Sequence, residues 1–371
     1  MATAEALAAP GAARGARIVL PGQLPDGSPI LSVLVKRTFD IVPGGACTLA
    51  EADRPLLPGD KFWDDPMNSS VRFESDFVPF KLATDVVLDG LVHAPGGAPT
   101  LSCLATLQVA DRRKSIFVVG DRVARYVSGA APWFSDPAAF TTMELRYERA
   151  YGGTDVFSDV KVPCAYPRNP LGRGFVVRNA PQSVEGLALP NLEDPASPVA
   201  PANLCLEDFK AWESRPAPVG FGWFPKGWMP RASLAGIMPG DRATEQQLRK
   251  AYAELLSGEE RDAYLKHGIR DMDFHFFSGA SAGLALPYLR GGEWVLTENL
   301  SPEGRLSFQL PAAAPRIGLD IGGGVQEPEV ALHTVQIRVE ERQMDLVWRG
   351  AAPYPGLDWL PEMKKLEVAI A

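Results

Sequence analysis

Apolar and polar residues alternate with a period of two along most of this chain, the pattern of strands with one buried face. In LSVLVKRTFDIV, Val33, Val35, Arg37, Phe39 and Ile41 alternate with Leu34, Lys36, Thr38 and Asp40. In LSCLATLQV, Leu101, Cys103, Ala105, Leu107 and Val109 fill one face, and KSIFVVGDR follows as a third strand ended by a turn at Gly120-Asp121. HTVQIRVEERQMDLVWRG reads as a hairpin. His333, Val335, Ile337 and Val339 hold one phase, Glu340 to Arg342 are polar, and Met344, Leu346 and Trp348 then take over the apolar face. Shorter strands are expected near residues 84–92, 143–149, 270–277, 293–299 and 305–310.

Two regions break this rule. In ATEQQLRKAYAELLSGEERDAYLKHG, Leu248, Tyr252, Leu255 and Leu256 recur at helical spacing, and Thr244/Gln247 and Ser257/Glu260 have capping-box form. Gly268 is placed to end the second piece, so two short helices are expected over 241–268. From about 156 to 240, proline and glycine recur every few residues, and so long a structureless loop is unusual in a compact domain. Extended chain laid over the sheets and pinned by its aromatics fits better. The pattern therefore predicts a mainly β fold: a large antiparallel β-sandwich-like body with long Pro/Gly-rich extended loops and a short two-helix insert. Residues 1–16 read as a disordered tail and 17–371 as one β-rich domain, with lobes 17–155 and 231–350 joined by 156–230.

Composition adds exclusions. The 35 glycines and 34 prolines among 371 residues argue for turns and against a helical bundle. A formal charge of -8 gives no basic footprint for nucleic acid. No window approaches the ~18 to 20 apolar residues of a membrane span, and Glu5 interrupts the N-terminal stretch where a signal peptide would be apolar. A cytoplasmic protein without membrane or nucleic-acid partners is expected. Cys47, Cys103, Cys164 and Cys205 form no CxxC pair and no Cys/His cluster, so neither zinc nor a disulfide framework is indicated, and no cofactor is expected.

The motifs of common enzymes, GxSxG, HExxH, a P-loop and GxGxxG after a strand, are absent. The glycine run Gly322 to Gly324 lacks a following Lys-Ser/Thr and reads as a loop. His93 precedes a proline turn, His267 lies near a helix end, and His333 falls on the apolar phase of its strand as a hydrogen-bonded core histidine would. In DMDFHFF, Asp271, Asp273 and His275 would share one face of a strand, either as a solvated face or as a metal site completed by a neighbouring strand. In GFGWFPKGWMPR, Phe221, Trp223, Phe224, Trp228 and Arg231 are residue types enriched at binding hot spots, and they either staple a loop to the sheet or line an exposed partner groove. LRYERAYGGTD reads as a strand running into Tyr151, with Gly152-Gly153 supplying the positive φ of a tight turn.

Taken in order, TDVVLDG, KSIFVVGDR, YERAYGG, NPLGRGF, LPNLEDP, PVGFGW with WMPR, PYLRGGEWVLTENLSPEGRLSFQLP and LVWRG resemble a known family over roughly residues 30 to 350. It is the type VI secretion-associated adaptor or chaperone family, domain of unknown function 2169. The resemblance implies a cytoplasmic accessory protein without catalytic activity that binds a secreted effector, the PAAR tip or the VgrG spike protein. It also makes Tyr147, Glu148, Arg149, Tyr151, Gly152 and Gly153 a family signature in this chain. GDRVARY lacks the tryptophan expected after Gly-Asp-Arg, FFSGASAGLALPYL lacks the expected Asn/Asp-Gln character, and the 241–268 insert is longer than usual; these departures bear on the cargo. The competing reading is a hydrolytic or carbohydrate-directed enzyme built on Glu144, Glu148, Asp155 or the Asp271-Asp273-His275 face.

Overall fold

The longest strand, Pro29–Asp40, carries two different faces, and both are buried. Leu31, Val33, Val35 and Phe39 make one face apolar, whereas Ser32, Lys36 and Thr38 make the other polar, yet Lys36 is only 3% exposed and Thr38 1%. A sheet that is charged on a buried face needs a cover that pairs those charges. That requirement shapes much of the molecule.

The computed structural model describes residues 15–155, 164–176, 184–204, 215–236, 272–312, 314–320, 325–353 and 367–370. In chain order the strands of its two main sheets are β1 (Ala16–Gln23), β2 (Pro29–Asp40), β3 (Thr84–Asp89), β4 (Ser102–Val109), β5 (Arg112–Val119) and β6 (Leu192–Glu193). They continue as β7 (Ala285–Leu286), β8 (Trp294–Glu298), β9 (Arg305–Gln309), β10 (Val330–Arg338) and β11 (Gln343–Pro353). The seven-stranded sheet runs β1-β2-β11-β10-β3-β7, with the short Thr48–Leu49 strand attached to β2. The five-stranded sheet runs β6-β5-β4-β8-β9 and is antiparallel throughout. Strands from both sides of the Pro/Gly-rich middle interleave in both sheets.

Within the two main sheets one pairing departs from the antiparallel expectation. β10 runs parallel to β3, from Thr334↔Asp85 to Arg338↔Asp89. These strands are joined by a long excursion rather than a tight hairpin, so either direction is open to them.

The sheets share one core. Leu107 and Val109 of β4, Ile116 and Val118 of β5 and Phe308 of β9 pack with Val86 and Leu88 of β3, Ile337 of β10 and Leu346 of β11. Each fully buried side chain of this kind stabilises the fold by about 1.5–3 kcal/mol. Beyond the five-stranded sheet, Leu31, Val33 and Val35 on the same face of β2 are covered instead by Ile317 and Leu319. β1 forms an edge, and Pro21 within it removes a donor from the ladder, which guards against edge-to-edge pairing.

The strands read from alternation are present, including the β10–β11 hairpin. Two short strands are not. Within 143–149 only Thr142–Glu144 is extended and Tyr147–Arg149 is a 3-10 turn, and Phe274–Phe277 is likewise a 3-10 turn. At the second a side chain binds the local backbone instead of a ladder, Asp273 accepting from the His275 amide at 2.9 Å, whereas at the first the Ala150 amide turns back to the Tyr147 carbonyl and Glu148 and Arg149 reach distant Ser70 and Asn191. The helices expected over 241–268 lie outside the described residues, as do residues 1–14 of the expected tail, and β1 already begins at Ala16. The described parts of the middle are turns, a one-turn helix at Pro201–Leu204 and two-residue strands. They build a second, smaller core in which Tyr166 meets Tyr151 and Phe175 at ring distances of 5.4 and 5.0 Å.

The position of His333 is a further correction. β10 carries a bulge between Leu332 and Thr334, and both Leu332 and Val335 enter the main core. The extra residue slips the alternation by one, so His333 leaves the apolar phase for the charged face. There its ring stacks on Tyr288 at 6.3 Å, is 1% exposed, and its Nε2 meets no hydrogen-bond partner among the described residues. Burial, and then the nearby Arg349 and Lys81 cations, hold its pKa well below 6.5. An unfolded chain takes up this proton below about pH 6.5 while the folded chain does not, so stability falls as pH falls through that value. Between pH 7.5 and 5.5 the protein should lose about 1.4 kcal/mol more than a His333→Phe variant in urea denaturation. Equal losses would contradict a neutral buried histidine.

Candidate functional site

The aromatic segment 221–231 crosses the sheet on loops, and its rings point inward. Phe221, Trp223 and Trp228 are 0%, 4% and 7% exposed, and Arg231 is 4% exposed. Phe224 is half-buried. The exposed groove that the composition suggested is therefore corrected: in this chain the rings staple the loop. The reason is that the structure brings them to Tyr147, where Tyr147, Phe224 and Trp228 form three mutual edge-to-face contacts at 5.6 to 5.7 Å. Each such contact is worth about 0.5–1.5 kcal/mol beyond area burial. Burial pushes the Tyr147 phenol well above its ordinary pKa.

Beneath this loop lies the charged face of the seven-stranded sheet. Asp345 of β11 is fully buried and accepts from Arg338 at 2.9 Å and Thr38 at 2.8 Å, while Lys36 pairs with Asp76 at 2.8 Å. Trp223 Nε1 donates to Gln336 of β10 at 2.8 Å. Arg231 closes the cover with a two-pronged pair to Glu74, 2.7 Å at each oxygen, and donates to the Phe224 and Phe276 carbonyls. Gly279 is required here, because a Cβ would meet Glu74 Oε2 at 2.3 Å and Arg231 Nη1 at 2.6 Å. Between Lys36, Asp76, Trp223, Gln336, Arg338 and Asp345 is a cavity of about 10 Å³, which accommodates one water molecule and no substrate.

The YERAYGG string is a second centre. Gly152 and Gly153 have φ of 148° and 108°, and a Cβ on them would strike the Asn169 and Gly172 carbonyls at 2.1 and 2.6 Å. The glycine pair lets this segment run against NPLGRGF, where Tyr151 and Gly152 pair in parallel with Arg173 and Gly174. Buried Asn169 donates to the Tyr147 and Tyr151 carbonyls at 2.8 and 3.1 Å. Asn191 of LPNLEDP, fully buried, ties four strings at once. Its Nδ2 donates to the Val119 carbonyl and Asp121, both at 3.0 Å, and its Oδ1 accepts from Arg149 at 3.1 Å and Arg173 at 3.2 Å. Arg122 pairs with the neighbouring Glu193, whose pKa burial nonetheless raises. Sequence reasoning quoted these strings but did not single out Asn169 or Asn191, because a lone asparagine carries no pattern until the fold surrounds it.

The carboxylates considered for catalysis that lie among the described residues are each engaged. Glu148 accepts from the Ser70 amide at 2.7 Å and its hydroxyl at 2.8 Å. Glu144 lies 3.2 Å from Arg146 and 3.6 Å from Arg149, and Asp155 is fully buried. Asp271 lies outside the described residues. Asp273 and His275 are bound to each other at 2.7 Å within a 3-10 turn rather than spaced along a strand, and no group of three metal-ligating side chains occurs among the described residues. His93 contacts Glu340 at 2.9 Å. Cys47, Cys103 and Cys164 are free thiols, and burial raises Cys103 to about 11.

Replacing Asn191 by alanine leaves a buried carbonyl and two arginines short of a partner. It should cost about 3 kcal/mol in chemical denaturation, with a loss under about 1 kcal/mol contradicting its place as the hub.

No curated protein matches this chain, and no solved structure matches it. No helix among the described residues is long and apolar enough to cross a membrane. A family model does match residues 26–349, a span that includes the five-stranded sheet, the seven-stranded sheet apart from β1 and the end of β11, and the polar hub around Asn191. The chain belongs to the bacterial family described as uncharacterized protein conserved in bacteria, domain of unknown function 2169.

Proposed function

We propose that this protein is a non-catalytic adaptor or chaperone, acting in the cytoplasm, that binds a secreted effector or a PAAR or VgrG spike component and helps load it for type VI secretion. The observation that carries this reading is the use made of the family strings: Arg149, Arg173 and Asp121 are spent on one another and on Asn191, and Asn169 on backbone carbonyls. Such a body presents a fixed surface and offers no reacting centre among the described groups considered for catalysis. Phe221, Trp223, Trp228 and Arg231 serve a partner indirectly, by holding the half-buried Lys226 and the exposed Gly227 in one arrangement. Preorganisation of this kind improves affinity by cutting the ordering cost of binding.

Co-expression with the products of the neighbouring genes, followed by size-exclusion chromatography at micromolar concentration, tests the reading. One spike, PAAR or effector protein should co-elute with the chain; elution alone beside every one of them would overturn it. Arg149→Ala, which removes contacts to Asn191 and Asp121, should lower thermal stability while leaving partner affinity within about twofold.

A further inference from the structure

The five-stranded sheet has a second face that the core does not use. Partners across an antiparallel ladder share a face, so the pairings fix which side chains point away from core residues such as Leu107, Val109, Ile116 and Val118. Leu104 and Phe117 stand opposite each other towards one end of β4 and β5, and Trp294 and Leu296 lie towards the other end of the sheet on β8. Leu104 is 50% and Trp294 49% exposed, and Phe117 and Leu296 are half-buried. Apolar pairs of this size differ from the single scattered residues that a soluble surface ordinarily carries.

Between those ends, about 13 Å apart along the strands, the outward side chains are polar and bonded to one another or to the local backbone. Thr106 and Ser115 share a hydrogen bond of 2.8 Å and Arg113 donates to Glu298 at 2.8 Å. The Gln108 and Gln309 amides donate to the Ala110 and Gly292 carbonyls at 3.1 and 2.7 Å. A neighbour can cover these groups without leaving them unpaired, which is the main cost of burying polar surface. Charge on the face also balances, with Arg113 and Arg305 set against Glu298 and Glu193. In a chain of formal charge -8, two copies can meet here without bringing like charges together.

Size and layout suit a second copy. Five strands about 4.8 Å apart, four of them five to eight residues long, give roughly 500 Å² a side and about 1,000 Å² in all, where reversible specific association begins. A two-fold axis lying in the contact plane and crossing the strands near Thr106 lays the Leu104–Phe117 end of one copy on the Trp294–Leu296 end of the other. That reciprocal match is what an isologous contact requires.

We propose that the outer face of the five-stranded sheet is a dimerisation surface, on which a second copy of this chain packs sheet against sheet about that axis. The apolar ends are the anchors, and the Arg113–Glu298 pairs between them fix the register.

Sedimentation equilibrium of the full chain, from about 1 to 200 µM, tests the surface. The average mass should rise towards twice that of the chain, with a midpoint on the order of tens of micromolar for a contact of this area. Trp294→Glu and Leu104→Arg each place a charge at an exposed site, and each should raise that midpoint at least about tenfold at an unchanged melting temperature. Met67→Glu, at a more exposed apolar residue outside this sheet, should leave it unchanged. A chain that stays monomeric throughout, a mass that climbs past two copies, a dimer indifferent to both face variants, or equal weakening by Met67→Glu overturns the proposal. So does a monomer that takes up the product of a neighbouring gene through Trp294 and Leu104, because the face then belongs to a different protein.

Discussion

Asp345 sits in the middle of a sheet with no exposed surface, and a lone carboxylate there would cost several kcal/mol. Arg338, Thr38 and Lys36 meet it from neighbouring strands, and Arg54 approaches from the segment that follows β2. Once this face of the sheet carries charge, whatever covers it must also carry charge. The stretch through Asp76 and Glu74 supplies the anions, and Arg231 and Lys226 answer them from the aromatic loop. The cover is thus selected by pairing as much as by apolar burial, which is why polar residues lie on both sides of a layer that excludes water almost entirely.

The same logic places the family strings. Their glycines allow two backbones to approach within contact, and their asparagines and arginines then satisfy the carbonyls and carboxylates that the approach buries. A chain built this way spends its polar side chains on shape. The irregular segments are thereby tied to the sheets by hydrogen bonds and ion pairs.

Much of the fold was legible in the alternation. The strands at Pro29–Asp40, Ser102–Val109, Arg112–Val119 and the C-terminal hairpin each have one face that must be apolar, and period two records that directly. The polar phase of Lys36 and Thr38 was legible as polar but not as buried, since alternation does not reveal what lies on the far side of a sheet. The bulge at His333 inserts one residue without any change in composition, so its phase could be read only from the pairing partner. The aromatic loop shows the same limit: Trp223 and Trp228 carry identical composition whether they face a partner or Tyr147 and Gln336. Asn169 and Asn191 were invisible as hubs because their partners come from strings tens of residues away.

The central claim is that charge pairing across the buried layer, rather than apolar contact alone, holds the aromatic loop to the sheet. A double-mutant cycle on Arg231→Met and Glu74→Gln, measured by urea denaturation, tests it most directly. Each single variant should lose about 3–5 kcal/mol, because it strands a buried charge, and the double variant should lose about 2–3 kcal/mol less than the sum. Additive losses, or single losses near zero, would show that the loop is held by its rings and that the ionic layer is incidental.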